Sequence, residues 1–291
     1  MACKKLKIDL HIHSSASDGT LPPARIIEVA DQLELSAISI TDHDTLEGAK
    51  EAIRIGIPEH IKFLTGVEIS ATPPPSFRVS GSFHVLGYGI RLDDPGLNQT
   101  LKVLQTAREN RAPRILERLE SLGISLTLAD VLKAAGNGQI GRPHIARVLV
   151  EKKVVKSINE AFGMYLGRGK PAYVDKYRIG SDETLRMIKD AGGIPVLAHP
   201  ILLKIREKTI LENLIGVLTE MGLKGIEVFY PEHSEEDQRY YAGLAKRYGL
   251  LMTGGSDFHG SLKPDIQMGS GRGDLSVPYE IYENLVRAVR N

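Results

Sequence analysis

Cysteine is nearly missing from this 291-residue sequence, and long hydrophobic runs are missing altogether. The single Cys3 excludes intramolecular disulfides and cysteine-based zinc motifs, which favours a reducing compartment. No segment approaches the roughly 18 consecutive apolar residues of a membrane span, and the first residues lack the apolar core of a signal peptide. We therefore expect a cytoplasmic protein with no membrane partner, and the sequence gives no sign of an obligate protein partner.

Two common catalytic motifs are also missing. The sequence contains no GxSxG elbow for a nucleophilic serine and no glycine-rich P-loop for a nucleoside triphosphate. Aromatic residues make up only 5% of the chain and are not spaced regularly enough to predict a long single-stranded RNA track. The sequence thus favours a short substrate and offers no evident protein nucleophile.

The net charge of +1 hides an uneven distribution. Residues 98–176 hold 14 lysines and arginines against 7 acidic residues, so the rest of the chain is acidic overall. A basic segment set against an acidic remainder suits an anionic ligand, because clustered charge concentrates the electric field. A solvated basic helix surface produces the same pattern, so charge alone leaves both interpretations open.

Seven short runs rich in β-branched and apolar residues predict buried strands. They span residues 7–13, 37–41, 63–69, 83–90, 194–199, 225–230 and 250–255. Helical periodicity follows most of them, as in residues 205–221, 235–248 and 278–290. Because strands that alternate with helices are usually parallel, the sequence predicts an α/β fold, with about the number of units that a TIM-like barrel requires.

The alternation breaks between the fourth and fifth predicted strands. Apolar residues there recur at helical spacing, with Pro113 as a predicted kink or break and a capping-box pattern at Thr127. We therefore expect a small all-helical subdomain at residues 98–172, inserted into a barrel formed by residues 1–97 and 173–291.

Histidines and acidic residues collect at the C-terminal ends of the predicted strands, where parallel α/β proteins build their active sites. The histidines are His11, His13, His43, His84, His199 and His259, and the acids are Asp9, Asp18, Asp42, Asp44, Glu68 and Asp257. His11 and His13 lie two apart on one strand, so both side chains face the same side. One such histidine is usually structural, but the whole set without thiols predicts a multinuclear site for manganese, zinc or iron.

Six motifs resemble, in order, those of the PHP (polymerase and histidinol phosphatase) family of phosphoesterases. They read IDLHIHSSASDGTLPP, ISITDHDTLEGA, TGVEIS, HVLGYGI, IPVLAHP and GGSDFHG, and together span residues 8–260. The resemblance implies a distorted (β/α)7 barrel that holds up to three divalent ions. The segments IGRPHIARVLVEKKVV and YLGRGKPAYV are similar to the TrpH-like branch, whose activities are hydrolysis of nucleotide 3′,5′-bisphosphates and 5′-to-3′ trimming of RNA or short oligonucleotides.

The same resemblance implies which side chains hold the ions. The implied ligands are His11, His13, Glu68 and Asp257 for the first ion, Glu68, His84 and His199 for the second, and Asp18, His43 and His259 for the third. We expect two or three divalent ions, with manganese as the first candidate and zinc, iron and magnesium as alternatives. Asp18 has a second interpretation as a turn aspartate before Gly19, and Asp42 and Asp44 either orient imidazoles or are ordinary loop acids.

The motif GRPHIAR predicts a phosphate site at the start of a helix. Pro143 suits the first turn of a helix, which leaves Arg142 at the N-terminal end beside free backbone N–H groups. We expect Arg142 and His144 to contact a substrate phosphate, with Arg147 and Lys170 as further candidates.

His233 follows the sixth predicted strand and thus also reaches the rim. Its side chain is suited to contact phosphate or to protonate the leaving oxygen. This chain has Tyr230-Pro231 where relatives often have His-Pro, so the resemblance does not define the role of His233.

These observations predict a hydrolase, namely a metal-dependent phosphoesterase in which metal-activated water attacks phosphorus. The expected substrates are nucleotide 3′,5′-bisphosphates or short 5′-phosphorylated oligoribonucleotides. One alternative is a phosphatase of histidinol phosphate or another small monoester. A second, of a different class, is a non-catalytic nucleotide-binding module, and a third is a purely structural role for the metals.

Overall fold

The computed structural model describes residues 6–136, 140–175 and 177–290. Within these ranges the strands are β1 (Lys7–Ile12), β2 (Leu35–Ile40), β3 (Lys62–Phe63), β4 (Gly66–Thr72), β5 (His84–Tyr88), β6 (Ile179–Gly180), β7 (Ile194–Leu197), β8 (Gly225–Phe229) and β9 (Leu251–Gly254). The helices are α1 (Pro23–Gln32), α2 (Glu47–Ile55), α3 (Pro95–Glu109), α4 (Arg111–Glu120), α5 (Leu128–Ala135), α6 (Arg142–Glu151), α7 (Ile158–Ala161), α8 (Ser181–Asp190), α9 (Lys208–Glu220), α10 (Glu235–Tyr248) and α11 (Tyr279–Arg290).

The strands form two sheets that single bridges join. One sheet has the order β1-β2-β3, and the other has the order β6-β4-β5-β7-β8-β9. Ile12, at the end of β1, bridges Phe258 after β9, and His43 after β2 bridges Glu68 in β4. Strand ends from both sheets therefore meet at one rim.

The strands are buried on both faces, by helices and by side chains of other strands. Ile8 and Leu10 of β1 belong to a cluster that includes Ile281 and Leu285 of α11. A second cluster packs β2 against α1 and α2, and a third packs β4, β5, β7 and β8 against α8, α9 and α10. Such two-sided burial explains why the strands read as continuous apolar runs. Among the helices of the described residues, none combines the length and the apolar character needed to cross a membrane.

All seven predicted runs contain a strand, with two differences from the expected pattern. The third run holds two strands, β3 and β4, and the short β6 was not predicted. The expectation of parallel strands is wrong for β5, which pairs antiparallel with both β4 and β7. Local periodicity records which residues are buried but carries no information about the direction of a neighbouring strand. The closed barrel stays a prediction.

Helices α3 to α7 lie between β5 and β6, and α4 to α7 share an apolar cluster that includes Ile115, Val131 and Leu149. The buried residues of α3 pack instead into the cluster of the larger sheet. The capping box at Thr127 is confirmed, since its hydroxyl accepts the N–H of Asp130 and the Asp130 carboxylate accepts the N–H of Thr127. The predicted helix break is present, three residues before Pro113. Helix α3 ends at Glu109 and α4 begins at Arg111, so Pro113 lies in the first turn of α4, where a missing N–H costs nothing. The boundaries at 98 and 172 stay predictions.

Candidate metal centre

The structure brings the nine predicted ligands to the rim. His11 lies on β1, Glu68 on β4 and His84 on β5, while the others follow strands directly or lie on adjoining loops. Those others are His13 and Asp18 after β1, His43 after β2, His199 after β7, and Asp257 and His259 after β9. Almost all of these side chains are buried. The apolar runs form the buried strands. Because the ends of these strands meet at one rim, the polar residues located there lie close together inside the protein.

Glu68 lies at the centre of this cluster. Its Oε1 is 2.8 Å from His84 Nδ1 and 2.8 Å from His199 Nε2. Its Oε2 is 3.1 Å from His13 Nε2 and 3.0 Å from His43 Nδ1. The two oxygens of one carboxylate thus face two different sets of imidazoles.

Several groups of side chains converge closely enough to hold an ion. They are His11, His13, Glu68 and Asp257; His13, Asp18, His43 and His259; and His43, Glu68 and His84. Buried His11 Nε2, His13 Nδ1 and Glu68 Oε2 make no hydrogen bond with any described residue. Because an unsatisfied buried polar atom costs about 1–3 kcal/mol, this concentration of them fits cation binding. The cluster supports divalent metal binding by nitrogen and oxygen ligands.

The pKa values show how the cluster is charged without metal. Burial alone would raise the pKa of Glu68, but the coulombic attraction of neighbouring imidazoles, that of His43 first, lowers it well below its usual value. Burial lowers the pKa of His84 to about 4. Burial also opposes protonation of His13, yet the carboxylates of Asp257 and Glu68 raise its pKa to about 9. At neutral pH, therefore, Glu68 is ionised, His13 carries a proton and His84 is neutral.

Backbone strain accompanies the site. Asp44, His199 and Asp257 have φ values of 55°, 27° and 53°, which non-glycine residues rarely adopt. Each such residue costs about 1–3 kcal/mol and persists where the surroundings enforce it. A close approach adds a further constraint, because a Cβ on Gly255 would lie 2.3 Å from the backbone nitrogen of His11. Glycine at this position lets the end of β9 lie against β1.

Glu227 of β8 contacts two residues of the cluster, and it was not among the site residues predicted from the sequence. Its Oε1 lies 2.9 Å from His11 Nδ1, and its Oε2 accepts the backbone N–H of His199 at 2.7 Å. Both contacts are buried. A carboxylate on the second ring nitrogen orients an imidazole and makes it a stronger metal ligand. The signal available in the sequence was a lone acid inside the apolar strand GIEVF.

We expect Glu227→Gln to weaken manganese binding by about 10–100-fold, the usual effect of losing such a carboxylate. The substitution preserves the volume but removes the negative charge beside His11. Isothermal titration of metal-free protein with manganese measures the effect. Glu220→Gln, on an exposed position of α9, is the matched control. Equal manganese affinity in the two variants would show that Glu227 does not support the metal ligands.

Other acids of the rim hold backbone loops. Asp9 accepts the N–H and hydroxyl of Ser256 at 2.9 and 2.5 Å. Asp42 accepts the N–H and hydroxyl of Ser14 at 2.7 and 2.6 Å. Asp44 accepts the N–H of Ser70 at 2.9 Å. These bonds join segments that are distant in sequence and so fix the loops that carry the cluster.

A cavity opens directly beside the cluster, and we call it the arginine cavity. Asp18, His43 and His84 contribute to its lining. The lining also includes four arginines from four different segments, namely Arg108, Arg111, Arg142 and Arg178. Four positive groups beside a cluster of metal ligands form a site for a second anionic group.

Two of these arginines are held in place by the protein. Arg111 donates from Nε to the carbonyl of Val174 at 2.8 Å, and burial lowers its pKa to about 10, so it remains charged at neutral pH. Arg142 donates from Nη1 to the carbonyl of Leu166 at 2.9 Å. The guanidinium of Arg142 also lies 5.3 Å from the ring centroid of Phe162, within cation–π range. Such preorganisation lowers the entropy cost of binding an anion.

The other three predicted phosphate contacts are not among the described residues that line the arginine cavity. Nδ1 of the buried His144 accepts the N–H of Gly141 at 3.0 Å, so this nitrogen already caps α6. Neither Arg147 nor the exposed Lys170 is among the described residues that line the arginine cavity. Their roles as phosphate contacts stay predictions.

His233 is buried, but it does not belong to the groups of side chains that could hold an ion. Its Nδ1 lies 2.8 Å from the carbonyl of Val228, and its ring packs against Tyr230 and Tyr241. Nε2 makes no hydrogen bond with the described residues. Burial lowers the pKa of His233, which favours the neutral ring, and its suggested part in proton transfer stays a prediction.

An α/β fold that gathers imidazoles and carboxylates around one shared acid, beside an arginine-lined cavity, defines a metal-dependent hydrolase of phosphoester bonds. The model of the PHP domain family matches residues 9–262. The chain belongs to the PHP family, as its motifs predicted.

Similar proteins extend over most of the chain. The 3′,5′-nucleoside bisphosphate phosphatase of Chromobacterium violaceum is 36% identical over 253 residues, which cover 87% of each chain. The 5′-3′ exoribonuclease Rnm of Escherichia coli is 33% identical over 86% of this chain and 84% of its own. A crystal structure of a Bifidobacterium adolescentis protein assigned as a metal-dependent phosphoesterase has a TM-score of 0.81 and 30% identity, covering 97% of this chain and 96% of its own. These similarities confirm the prediction of a phosphoester hydrolase.

Proposed function

We propose that the protein hydrolyses nucleoside 3′,5′-bisphosphates, short 5′-phosphorylated oligoribonucleotides or both, with two or three divalent ions held around Glu68. The observation that carries the proposal is the position of the arginine cavity directly beside the metal-ligand cluster. One phosphate of the substrate would meet the ions, and the other would meet the arginines. The similarity to the bisphosphate phosphatase of Chromobacterium violaceum supports the same substrate class.

We assign the ligands as the resemblance implied. His11, His13, Glu68 and Asp257 would hold one ion; Glu68, His84 and His199 a second; and Asp18, His43 and His259 a third. Manganese is our first choice because the site offers nitrogen and oxygen ligands without sulfur, and zinc, iron and magnesium are the alternatives. When bound, the ions lower the pKa of coordinated water to about 7 and polarise the phosphoester.

The protein's own contribution is to aim the ligands and the substrate. Tyr230 and Lys263 both donate to Asp257 Oδ2, at 3.1 and 2.6 Å. The other oxygen of Asp257 thereby faces His13 Nε2 at 3.1 Å and is available to an ion. Lys263 and Tyr230 are thus positioning residues that sequence motifs did not indicate.

The finer architecture belongs to the same proposal. The bridges of Ile12 with Phe258 and of His43 with Glu68 support a distorted (β/α)7 barrel of residues 1–97 and 173–291. The separate apolar cluster of α4 to α7 supports an inserted subdomain at 98–172, which supplies three of the four arginines. We place the protein in the cytoplasm on the evidence of its single cysteine.

We expect Arg142→Ala to raise the KM for 3′-phosphoadenosine 5′-phosphate by about 10–100-fold, because charge-assisted hydrogen bonds contribute about 1.5–3 kcal/mol. The KM for adenosine 3′-monophosphate, which lacks the second phosphate, should change by less than about threefold. Phosphate release in the presence of manganese measures both. Arg54→Ala, at an exposed position of α2, is the control. An equal loss with both substrates would show that Arg142 does not bind the second phosphate.

The same assay distinguishes the alternatives. Faster turnover of histidinol phosphate than of the bisphosphate would favour the small-monoester phosphatase. Nucleotide binding without phosphate release after full manganese loading would favour the non-catalytic module. Loss of activity in His84→Ala only in proportion to loss of folded protein would favour a structural metal.

A further inference from the structure

Four arginines line the arginine cavity although their like charges repel one another. The repulsion acts on Arg111, whose pKa is lowered to about 10 by burial and, next in size, by the charge of Arg142. Asp18 is the only acid among the described residues that line the cavity, and it belongs to the metal-ligand cluster. Other contacts must therefore keep the guanidinium groups together before an anion binds.

Residues 173–175 contact three of the four arginines, and we call them the arginine-holding segment. The carbonyl of Val174 accepts hydrogen bonds from Nε and Nη2 of Arg111, at 2.8 and 2.5 Å. The carboxylate of Asp175 lies 3.3 Å from Nη1 of Arg178. The segment comes after α7 and before β6, so it lies where the chain returns from the helices to the larger sheet.

Tyr173 is the member of this segment that contacts two arginines at once. Its ring centroid lies 5.4 Å from the guanidinium of Arg142 and 5.7 Å from that of Arg111. Both distances are within cation–π range, in which the negative face of a ring attracts a cation. The ring thus stabilises two charges that repel each other. Tyr173 is not among the described residues that line the arginine cavity, so it is placed to act on an anion there through the arginines.

Arg142 depends on the ring more than Arg111 does. Two hydrogen bonds to one backbone carbonyl fix the guanidinium of Arg111. Arg142 donates from Nη1 to the carbonyl of Leu166 at 2.9 Å and lies against the rings of Phe162 and Tyr173. A single hydrogen bond does not fix the plane of a guanidinium, whereas a neighbouring ring face restricts it. Loss of the Tyr173 ring should therefore affect Arg142 first.

The arginine-holding segment is itself anchored. Ala172 and Val174 are buried in the apolar cluster of α4 to α7. The N–H of Tyr173 donates to the carbonyl of Lys170 at 2.9 Å, and its hydroxyl donates to the Asp175 carboxylate at 2.7 Å. The ring is thus held at both ends. A ring fixed in this way orders the arginines in advance, which lowers the entropy cost of binding an anion.

We propose that Tyr173 is a positioning residue that holds Arg142, and with it Arg111, in place for the second phosphate of the substrate. The inference rests on the proposed function, since it takes these arginines as the partners of that phosphate. The ring carries the role, because the guanidinium groups lie against the ring while the hydroxyl bonds to Asp175. Tyr173 then determines how strongly the enzyme prefers two phosphates to one.

Binding to metal-free protein tests the role of Tyr173 without catalysis. The probe is 3′-phosphoadenosine 5′-phosphate, titrated into the protein in EDTA and followed by calorimetry. We expect Tyr173→Leu to bind it about 10-fold more weakly than wild type, and Tyr173→Phe, which keeps the ring, to bind within about twofold of wild type. Tyr240→Leu is the matched control, because it removes a ring 4.9 Å from the ammonium of Lys208, outside the arginine cavity, and should bind as wild type does.

A double-mutant cycle tests whether Tyr173 acts through Arg142. Arg142→Ala/Tyr173→Leu should bind the bisphosphate within about threefold of Arg142→Ala alone, because residues that act as one unit do not give additive losses. A base or sugar stacked directly on Tyr173 would instead give additive losses. Melting temperatures in EDTA report whether each variant is folded, and Tyr173→Gln replaces the leucine variant should the latter not fold.

Three results would overturn the proposal. The first is equal affinity of folded Tyr173→Leu and Tyr240→Leu for the bisphosphate. The second is a loss in Tyr173→Phe as large as that in Tyr173→Leu, which would assign the role to the hydroxyl. The third is additivity in the cycle with Arg142→Ala.

Turnover separates this proposal from the function on which it rests. With manganese, Tyr173→Leu should raise the KM for the bisphosphate about 10-fold and the KM for adenosine 3′-monophosphate less than about threefold, with each kcat within about twofold of wild type. An equal rise in both KM values contradicts the role of Tyr173 and leaves the proposed function intact. Tyr173-dependent binding by a protein that hydrolyses neither the bisphosphate nor a short 5′-phosphorylated oligoribonucleotide contradicts the proposed function and supports the positioning role.

Discussion

Glu68→Gln is expected to lower the kcat for 3′-phosphoadenosine 5′-phosphate by on the order of 10³-fold at saturating manganese, the upper end of what removal of a single transition-state donor usually costs. Both Glu68 oxygens contact imidazoles of the cluster, at 2.8 Å for His84 and 3.0 Å for His43. Glutamine has the same shape, but its amide nitrogen does not bind a cation and its neutral group no longer balances the positive charge. Two of the three proposed ions would lose their shared ligand.

A control is needed because Glu68 is completely buried. Glu59→Gln, an exposed position with the same chemical change, should leave kcat unaltered. Circular dichroism and the melting temperature of Glu68→Gln in EDTA report whether the fold is retained. A folded Glu68→Gln protein that keeps more than a tenth of wild-type kcat would refute the bridging role.

Manganese loading is expected to stabilise the protein strongly. A ligand that binds only the folded state at 1,000 times its Kd adds about 4 kcal/mol to the free energy of unfolding. For a chain of this size each kcal/mol raises the melting temperature by about 1.5–2 °C, so we expect a rise of roughly 6–8 °C. Differential scanning calorimetry of chelated and loaded protein measures it. Calcium at the same concentration is a control for ionic strength and for non-specific binding of a hard cation.

The stabilisation should depend on pH, with a sign that the pKa values determine. Burial disfavours a proton on His11 and His13, but neighbouring carboxylates raise both pKa values in the metal-free protein, for His13 to about 9. A metal must displace these protons, and the cost grows as the pH falls below the raised pKa. The manganese-induced rise in melting temperature should therefore be larger at pH 8 than at pH 6. Titration calorimetry in two buffers of different ionisation enthalpy should show proton release at pH 7, and proton uptake would contradict this account.

The proposed metal ligands were the most predictable part of the site. Most lie near the C-terminal end of an apolar run that by itself predicts a strand, which is where a site forms in an α/β fold. His84 is the exception, because it begins β5, whose antiparallel direction brings its first residue to the rim. His11 and His13 also share a face through their two-residue spacing. The helix-start pattern around Pro143 also pointed to Arg142 as a phosphate contact.

The supporting residues were much less predictable. Glu227 contacts His11 from a position 216 residues away, and its own strand contains no second polar signal. Lys263 reaches Asp257 from a short turn with no recognised motif. Such contacts depend on the distance between segments, and residue type alone does not encode that distance.

Most strand segments, the candidate metal ligands and the basic segment could be read from the sequence by itself, because periodicity, side-chain chemistry and charge are local properties, although the short β6 could not be read in this way. Tertiary packing was needed to establish that β5 runs antiparallel, that Glu68 faces two sets of imidazoles, and that arginines from α3, α4, α6 and the position just before β6 line one cavity. The reason is physical: strand direction and the meeting of distant side chains follow from how buried surfaces pack together, and many packings are compatible with the same local pattern.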